Sequence, residues 1–160
     1  MWDFIADRWE DIAYRSYQHT SLVVQSVLLA TIIALVLAVI VIRNKKLESL
    51  ANIFSAIGLT LPSFALLGIL LPLVGIGAVP SVIAVTFYAV LPILRNAAVG
   101  LQAVDANLLE SARGMGMSKV ATLLKVRLPL AWPVILAGVR TSTQMSFGVA
   151  AIAAYALGPG

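Results

Sequence analysis

Four long apolar stretches alternate with short polar segments along this chain, and each is long enough to cross a membrane as a helix. A helix rises about 1.5 Å per residue, so about 20 apolar residues cover a hydrocarbon core of about 30 Å. The predicted spans cover residues 20–42, 50–75, 79–98 and 130–157. The pattern predicts an all-α, polytopic membrane protein with about four transmembrane helices, which form one domain over residues 20–160.

Prolines and glycines punctuate these spans. Pro62 lies inside the second span, where it removes a backbone hydrogen bond and should kink or locally unwind the helix. Pro80 and Pro133 fall in the first turns of the third and fourth spans, where a missing N–H group costs little. The segment VGIGAVP separates the second span from the third, and Pro129 marks the predicted return of the chain into the membrane.

The polar segment before the last span, residues 101–129, predicts two short helices. Asp105 or Asn107 can cap the first helix, and Ser118 can cap a second one that runs to Lys125. Helices of this length bury little apolar surface by themselves. The segment is therefore expected to form a small helical insert beside the membrane.

Two glycines, Gly114 and Gly116, lie between these short helices and permit a tight turn. The apolar residues of the insert are Leu108, Leu109, Val120, Leu123 and Leu124. These side chains either meet a partner protein or pack against the chain's own spans, and the residues alone leave both possibilities open.

The composition excludes most other classes of protein. The 160 residues are 61% hydrophobic and 11% charged, and the mean hydropathy is +0.99, whereas soluble domains carry about a quarter charged residues. With no cysteine and one histidine, His19, no metal site is expected. The sequence has no nucleophile elbow, no His-Glu-x-x-His and no phosphate-binding loop with lysine, so neither catalysis nor ATP hydrolysis by this chain is expected.

Basic residues predict the orientation of the chain, because lysine and arginine concentrate in cytoplasmic loops. The net charge of +4 is interpreted in this way and not as a nucleic-acid site. Residues expected on the cytoplasmic side are Arg43, Lys45, Lys46, Arg113, Lys119, Lys125 and Arg127. The amino terminus, the VGIGAVP segment and the carboxyl terminus are then expected outside.

The opening segment, residues 1–19, has an amphipathic pattern. Trp2, Ile5, Trp9 and Ile12 recur at helical spacing with acidic residues between them, which predicts an interfacial helix lying at the headgroup level. The alternative is a contact with a protein that delivers substrate. The segment has no basic start and its hydrophobic run begins late, so it is not expected to be a signal peptide.

The insert carries a spaced motif: Glu110-Ser111-Ala112, then Gly116, then nine residues, then a hydrophobic residue, any residue, and Leu128-Pro129. This spacing resembles the signature of permease subunits of bacterial ATP-binding cassette importers, in which Glu-Ala-Ala opens the motif. Ser111 replaces the middle alanine, a small-for-small change. The resemblance implies that Glu110, Ser111, Ala112, Gly114, Gly116, Leu128 and Pro129 couple the permease to an ATPase.

The stretches LPILRN, ARGMGM and PVILAGVRT look like the permeases for compatible solutes such as glycine betaine, choline or carnitine. The resemblance implies a multi-pass protein of the bacterial cytoplasmic (inner) membrane, surrounded by membrane lipid. Its implied partners are a second permease copy or homologous permease, a cytosolic ATPase dimer and an extracytoplasmic solute-binding protein. No cofactor is expected on this chain, because ATP and Mg would be used by the ATPase.

Other interpretations remain open. Another solute, such as methionine or a related amino acid derivative, would suit the same architecture, and a non-transporting membrane scaffold would make the insert dispensable. Family members usually continue through at least one more span. The chain stops at residues 156–160, in an expected outer loop, so the final span of the family is expected to be missing.

Polar residues inside the spans are few, and each has two interpretations. They either line a translocation pathway or support helix packing, since hydroxyls in spans often bond their own helix or a neighbouring one. These residues are Pro62, Ser63, Arg140, Thr141, Thr143 and Gln144. Arg140 is too deep for an ordinary surface charge and is expected to pair with backbone carbonyls or a neighbouring span, or to line the pathway.

Overall fold

The computed structural model describes residues 2–155, and all secondary structure in this range is helical. The helices are α1 (Trp2–Asp7), α2 (Trp9–Val41), α3 (Lys45–Thr60), α4 (Ser63–Val74), α5 (Ala78–Gln102), α6 (Ala106–Gly114), α7 (Lys119–Thr122), a π-helical turn (Leu123–Arg127) and α8 (Leu128–Tyr155). The expectation of an all-α, polytopic protein is confirmed.

Three of the described helices are long and apolar enough to cross a membrane, namely Trp9–Val41, Ala78–Gln102 and Lys119–Tyr155. The helices α3 and α4 pass the same test only together, and they are bent by 94° at the break between them. The described residues therefore contain three such helices, or four if the bent pair is one span.

The break between α3 and α4 occurs at Pro62, as predicted. Leu61 before it has extended backbone angles, φ −67° and ψ 130°, which is the conformation that a following proline favours. The carbonyl of Leu61 accepts a hydrogen bond of 2.6 Å from the hydroxyl of Tyr88 on α5. This bond satisfies a backbone group that the end of the helix would otherwise leave unpaired.

The core lies around α5, which packs most extensively against α8 and then against α2. On α2 the positions with no exposed surface are the small residues Ser26, Ala30, Ala34 and Ala38, spaced by about one helical turn. Small residues let the backbones of membrane helices approach closely. Large apolar side chains such as Ile32 and Val36 point outward from the same helix, as expected for a surface that lipid can cover.

Glycine permits the closest approach in the core, where α8 crosses α5. A Cβ atom added to Gly138 would lie 2.7 Å from Cβ of Asn96 and 3.1 Å from the carbonyl oxygen of Pro92. One turn further along α8, the hydroxyl of Ser142 donates a 2.5 Å hydrogen bond to the carbonyl of Ala89. The two helices are thus joined by contact and by an interhelical hydrogen bond.

The opening segment differs from the prediction of one interfacial helix over Trp2, Ile5, Trp9 and Ile12. Helix α1 ends at Asp7, Arg8 has non-helical angles (φ −120°, ψ 17°), and α2 then runs without interruption from Trp9 into the first predicted span. The four residues are divided between two helices. Their periodicity was real, but periodicity alone does not show where a helix is interrupted.

The predicted second helix of the insert and the last span are not separated by a loop. Helix α7, the π-helical turn and α8 follow one another without a gap from Lys119 to Tyr155, so the helix does not stop at Lys125 as predicted. Helix α8 itself begins at Leu128, close to the predicted start, and Pro129 lies in its first turn, whereas Pro133 lies beyond that turn. The π-helical turn ends at Arg127, and the N–H of Leu128 is bonded to the carbonyl of Leu123. We attribute the continuity to this wider turn, which relieves the clash that proline makes in a regular helix.

The glycine-rich segment behaves as its composition predicts. Helix α4 ends at Gly75, and both Gly75 (φ +83°) and Gly77 (φ +124°) adopt backbone angles that other residues rarely tolerate. Pro80 lies in the first turn of α5. The expected outer loop at residues 156–160, and the last two residues of the predicted fourth span, lie outside the described residues.

Candidate functional site

Helix α6 forms the first half of the insert. Its first residue is Ala106, and the side chain of Asp105 accepts a 2.8 Å hydrogen bond from the backbone N–H of Asn107. Of the two predicted caps, Asp105 is therefore the one used. A carboxylate at this position also interacts favourably with the positive end of the helix dipole.

The turn after α6 is closed by a pair of backbone hydrogen bonds. The N–H of Gly116 bonds to the carbonyl of Arg113 at 2.9 Å, and the N–H of Met117 bonds to the carbonyl of Ala112 at 3.1 Å. Gly116 has φ +82°. This is the Schellman arrangement, in which the residue after the helix adopts a left-handed conformation that favours glycine. Gly116 is thus required by geometry, whereas Gly114 has ordinary helical angles.

The second half of the insert begins at Ser118. Its hydroxyl accepts a 3.2 Å hydrogen bond from the N–H of Ala121, and α7 follows from Lys119. The predicted cap is confirmed. Two capped helix starts and one Schellman turn therefore give the motif from Glu110 to Pro129 a defined backbone, even though few of its side chains are buried.

The residues of the motif differ in how far they are buried. Ala112 is only 2% exposed, so a larger side chain would not fit there without displacement. Glu110, Ser111 and Pro129 are exposed, and Leu128 is half-buried and packs against the core. The motif thus has a buried side and an exposed side, and α6 packs against α7 and the π-helical turn.

The apolar residues of the insert also fall into a buried group and an exposed group. Leu123 packs against the chain's own core, and Leu109 is half-buried. Leu108, Val120 and Leu124 are 49%, 64% and 55% exposed. Part of the insert therefore packs against the chain's own helices, and part presents apolar surface. That this surface meets a partner protein stays a prediction.

Arg127 connects two parts of the fold, although the sequence indicated only that it lies on the cytoplasmic side. Its Nε–H donates a 2.7 Å hydrogen bond to the carbonyl of Leu101, near the end of α5. This bond links the start of the long carboxyl-terminal helix to the helix before α6. No local sequence signal indicates it, because the two residues are 26 positions apart.

The polar residues of α8 lie on different faces. Arg140, Thr141 and Gln144 line an open groove together with Pro133, Leu136 and Ala137. The hydroxyl of Thr141 also donates to the carbonyl of Ala137 at 3.1 Å, within its own helix. The side chains of Arg140 and Gln144 are exposed in the single chain. Arg140, Thr141 and Gln144 thus give α8 an outward-facing polar patch.

The remaining predicted pathway residues are elsewhere. Thr143 is half-buried and donates to the carbonyl of Val139 at 2.8 Å, again within its own helix. Pro62 and Ser63 form the junction of α3 and α4 and do not line the α8 groove. The predicted pathway residues therefore form three groups. Arg140, Thr141 and Gln144 lie on an outward polar face, Thr143 is hydrogen-bonded within its own helix, and Pro62 and Ser63 lie at the break between α3 and α4.

Metal chemistry finds no support in the described residues, where no group of three or more His, Asp or Glu side chains could hold an ion. His19 on α2 stacks against Phe147 on α8 with ring centroids 5.5 Å apart. The histidine therefore helps to pack two helices together.

Comparisons with known proteins agree with this architecture. Residues 17–160 match the family described as binding-protein-dependent transport system inner membrane component. The chain is 40% identical to the choline transport system permease protein OpuBB of Bacillus subtilis (strain 168), over 98% of this chain and 72% of that protein. It is also 40% identical to the glycine betaine/carnitine/choline transport system permease protein OpuCB of the same organism, over 100% of this chain and 74% of that protein.

A relative from another organism gives the same result. The osmoprotectant import permease protein OsmW of Salmonella typhimurium is 40% identical over 94% of this chain and 73% of its own length. Matches of this extent include the membrane helices as well as the motif between Glu110 and Pro129. The chain belongs to the inner membrane component family of binding-protein-dependent transport systems, and it is a permease subunit of that family.

Proposed function

We propose that this chain is the permease of an ATP-driven importer for a compatible solute of the glycine betaine, choline or carnitine type. The observation that carries the proposal is the 40% identity, over at least 94% of the chain, to two permeases named for these solutes and to a third named for osmoprotectant import. The closed turn at Gly116 supports it, because a defined surface element beside the membrane helices suits the transmission of force from an ATPase.

The coupling surface in this proposal consists of Glu110, Ser111, Ala112, Gly114, Gly116, Leu128 and Pro129. A cytosolic ATPase dimer would receive the exposed side of α6 and of the turn, including the apolar side chain of Leu108. ATP and Mg would be bound by that dimer and not by this chain. Ala112 and Leu128 would hold the insert on the membrane helices, so that movement of the ATPase moves the helices.

The insert is linked to the spans in a way that suits this role. The long helix from Lys119 to Tyr155 joins the outer half of the insert directly to the last span, and Arg127 ties it to the end of α5 through Leu101. A displacement of the insert would therefore act on α5 and α8 together. Alternating access would follow as a rigid-body rotation of these helices.

The translocation pathway would run along the outward polar face of α8. An exposed arginine in a span is costly against lipid, so Arg140, with Thr141 and Gln144, is expected to face water between this chain and a second permease copy. Thr143 would support helix packing through its own helix. Pro62 and Ser63 would act through the break in the second predicted span, where a bent helix pair can change its angle.

The proposed orientation has the insert in the cytoplasm and the amino terminus outside. The concentration of basic residues at the insert supports it, because four of the eleven lysines and arginines of the chain lie between Arg113 and Arg127. An extracytoplasmic solute-binding protein would then deliver the solute to the opposite face of the membrane.

Reconstitution tests the proposal. The full chain, its ATPase and its binding protein would be placed in proteoliposomes, and uptake of labelled glycine betaine, choline, carnitine and methionine would be measured with and without ATP. We expect ATP-dependent accumulation of at least one of the first three solutes and none of methionine. Uptake of methionine alone, or uptake that does not require ATP, would overturn the proposal.

A further inference from the structure

A cavity of about 340 Å³ lies between the end of α2 and the insert, away from the polar face of α8. Four cationic side chains line it, Arg43, Arg113, Lys119 and Arg127, and no carboxylate of residues 2–155 does. Like charges gathered around one cavity repel each other, and the repulsion is stronger where water is partly excluded. Arg43, Arg113 and Lys119 are exposed to solvent, which screens part of this repulsion, and Arg127 is half-buried. An anion in the cavity would offset the repulsion that remains.

A buried hydroxyl points to the same ligand. Thr122 lines this cavity and is 6% exposed, and its Oγ1 has no hydrogen-bond partner among the described residues. Buried polar atoms are normally paired. The described residues contain five unpaired buried hydroxyls, and Thr122 is the one of them that lines this cavity. A hydroxyl and several N–H donors form a suitable set for the oxygens of a phosphate.

The walls of the cavity are apolar on the side of the membrane helices. Val39 and Ile42 belong to the last turns of α2, and Leu109 and Leu123 complete the lining. Arg43 follows directly after the apolar stretch of α2, so the cationic part of the cavity lies at the depth of the lipid headgroups. Exposed Val36 and Ile40 continue the apolar surface toward the membrane interior, where acyl chains would lie.

We propose that this cavity binds the phosphate of an anionic phospholipid, such as phosphatidylglycerol, with the acyl chains along α2. Basic pockets between membrane helices bind lipid headgroups in this way. A free phosphate would use the cations and Thr122 but not the apolar surface of α2. A zwitterionic lipid would bring its own cation next to Arg113 and Lys119, so the anionic headgroup is the better match.

Native mass spectrometry of the full chain tests the proposal. The chain would be released from nanodiscs of phosphatidylcholine mixed with phosphatidylglycerol, and the retained lipids counted. We expect the wild type to retain phosphatidylglycerol in strong preference. The double variant Arg113→Gln/Lys119→Gln should lose most of this retention, and Thr122→Val, which keeps the shape of the side chain, should lose part of it.

The matched control is Lys45→Gln/Lys46→Gln, which removes the same charge from the same end of the molecule but outside the cavity lining. It should retain the lipid as the wild type does. Arg127 is left unchanged because it bonds to Leu101, and circular dichroism would verify equal helix content in all variants.

Three results would overturn the proposal. Equal retention by the wild type and the cavity variant would mean that the lipid does not bind here. Equal losses in the cavity variant and the control would mean that only general charge attraction is at work. Release of the bound lipid by inorganic phosphate would mean that the cavity takes a soluble oxyanion. The test contains no ATPase and no solute, so its outcome is independent of the transport proposal.

Discussion

The interface between α5 and α8, called the seam below, is mostly buried, whereas the insert around α6 is mostly exposed. Most residues of α5 between Pro80 and Leu101 are buried, and α8 meets it through Gly138 and a hydrogen bond from Ser142. In α6 only Ala112 is buried. The insert depends on backbone caps for its shape. The seam is therefore completed within the chain, whereas most of the insert's surface stays exposed.

The largest effect on stability is expected from Gly138→Ala in the seam. The new methyl group would lie 2.7 Å from Asn96 and 3.1 Å from the backbone oxygen of Pro92, so the helices must separate. We expect a loss of about 1–3 kcal/mol in the free energy of unfolding, measured by thermal or denaturant unfolding in detergent.

The matched control for this substitution lies on the same helix. Gly148 has open space where a Cβ atom would be placed, so Gly148→Ala should be neutral or should stabilise the helix by about 0.5–1 kcal/mol. Equal destabilisation by both substitutions would contradict the close contact between α5 and α8.

A smaller and purely local effect is expected from Asp105→Ala in the insert. The substitution removes the acceptor for the N–H of Asn107, at a cost of about 1 kcal/mol to the helix. Because α6 contributes little to the core, global unfolding should not change, and the amides of α6 alone should exchange about fivefold faster with deuterium. Asp105→Asn keeps an acceptor oxygen and should exchange like the wild type. Slower global folding or a lower unfolding temperature would show that the insert supports the seam.

The smallest effect is expected from Ser142→Ala. It removes the hydrogen bond to the carbonyl of Ala89, and interhelical hydrogen bonds in membranes contribute about 0.6 kcal/mol on average. Unfolding in detergent should detect this loss. Thr141→Val, which removes a bond within its own helix, should change the free energy of unfolding less. The reverse order would mean that Ser142 is not part of the seam.

Much of this architecture was predictable because its causes are local. The break at Pro62 follows from the missing N–H of proline, and the caps at Asp105 and Ser118 follow from side chains that can reach a nearby backbone N–H. Gly116 was identified as a turn residue, and its φ of +82° explains why. In each case a residue and its immediate neighbours determine the geometry.

Features that depend on distant residues or on a choice of helix type were not predictable. The sequence predicted a helix ending at Lys125 and a return into the membrane at Pro129, and it did not indicate the π-helical turn that joins α7 to α8. Arg127 bonds to a residue 26 positions earlier. The cationic cavity gathers Arg43 from one end of α2 and Arg113 from α6, and only the folded chain brings these residues together.

The most direct test of the account is co-purification of the full chain with its ATPase, comparing the wild type with Gly116→Val and Gly116→Asn. No atom blocks a side chain at Gly116, so the cost comes only from the left-handed backbone, about 1–2 kcal/mol for an ordinary residue and less for asparagine. We expect Gly116→Val to lose the ATPase while Gly116→Asn and Gly114→Ala retain it, all with unchanged membrane insertion. Full retention by Gly116→Val would contradict the claim that this turn is the coupling surface.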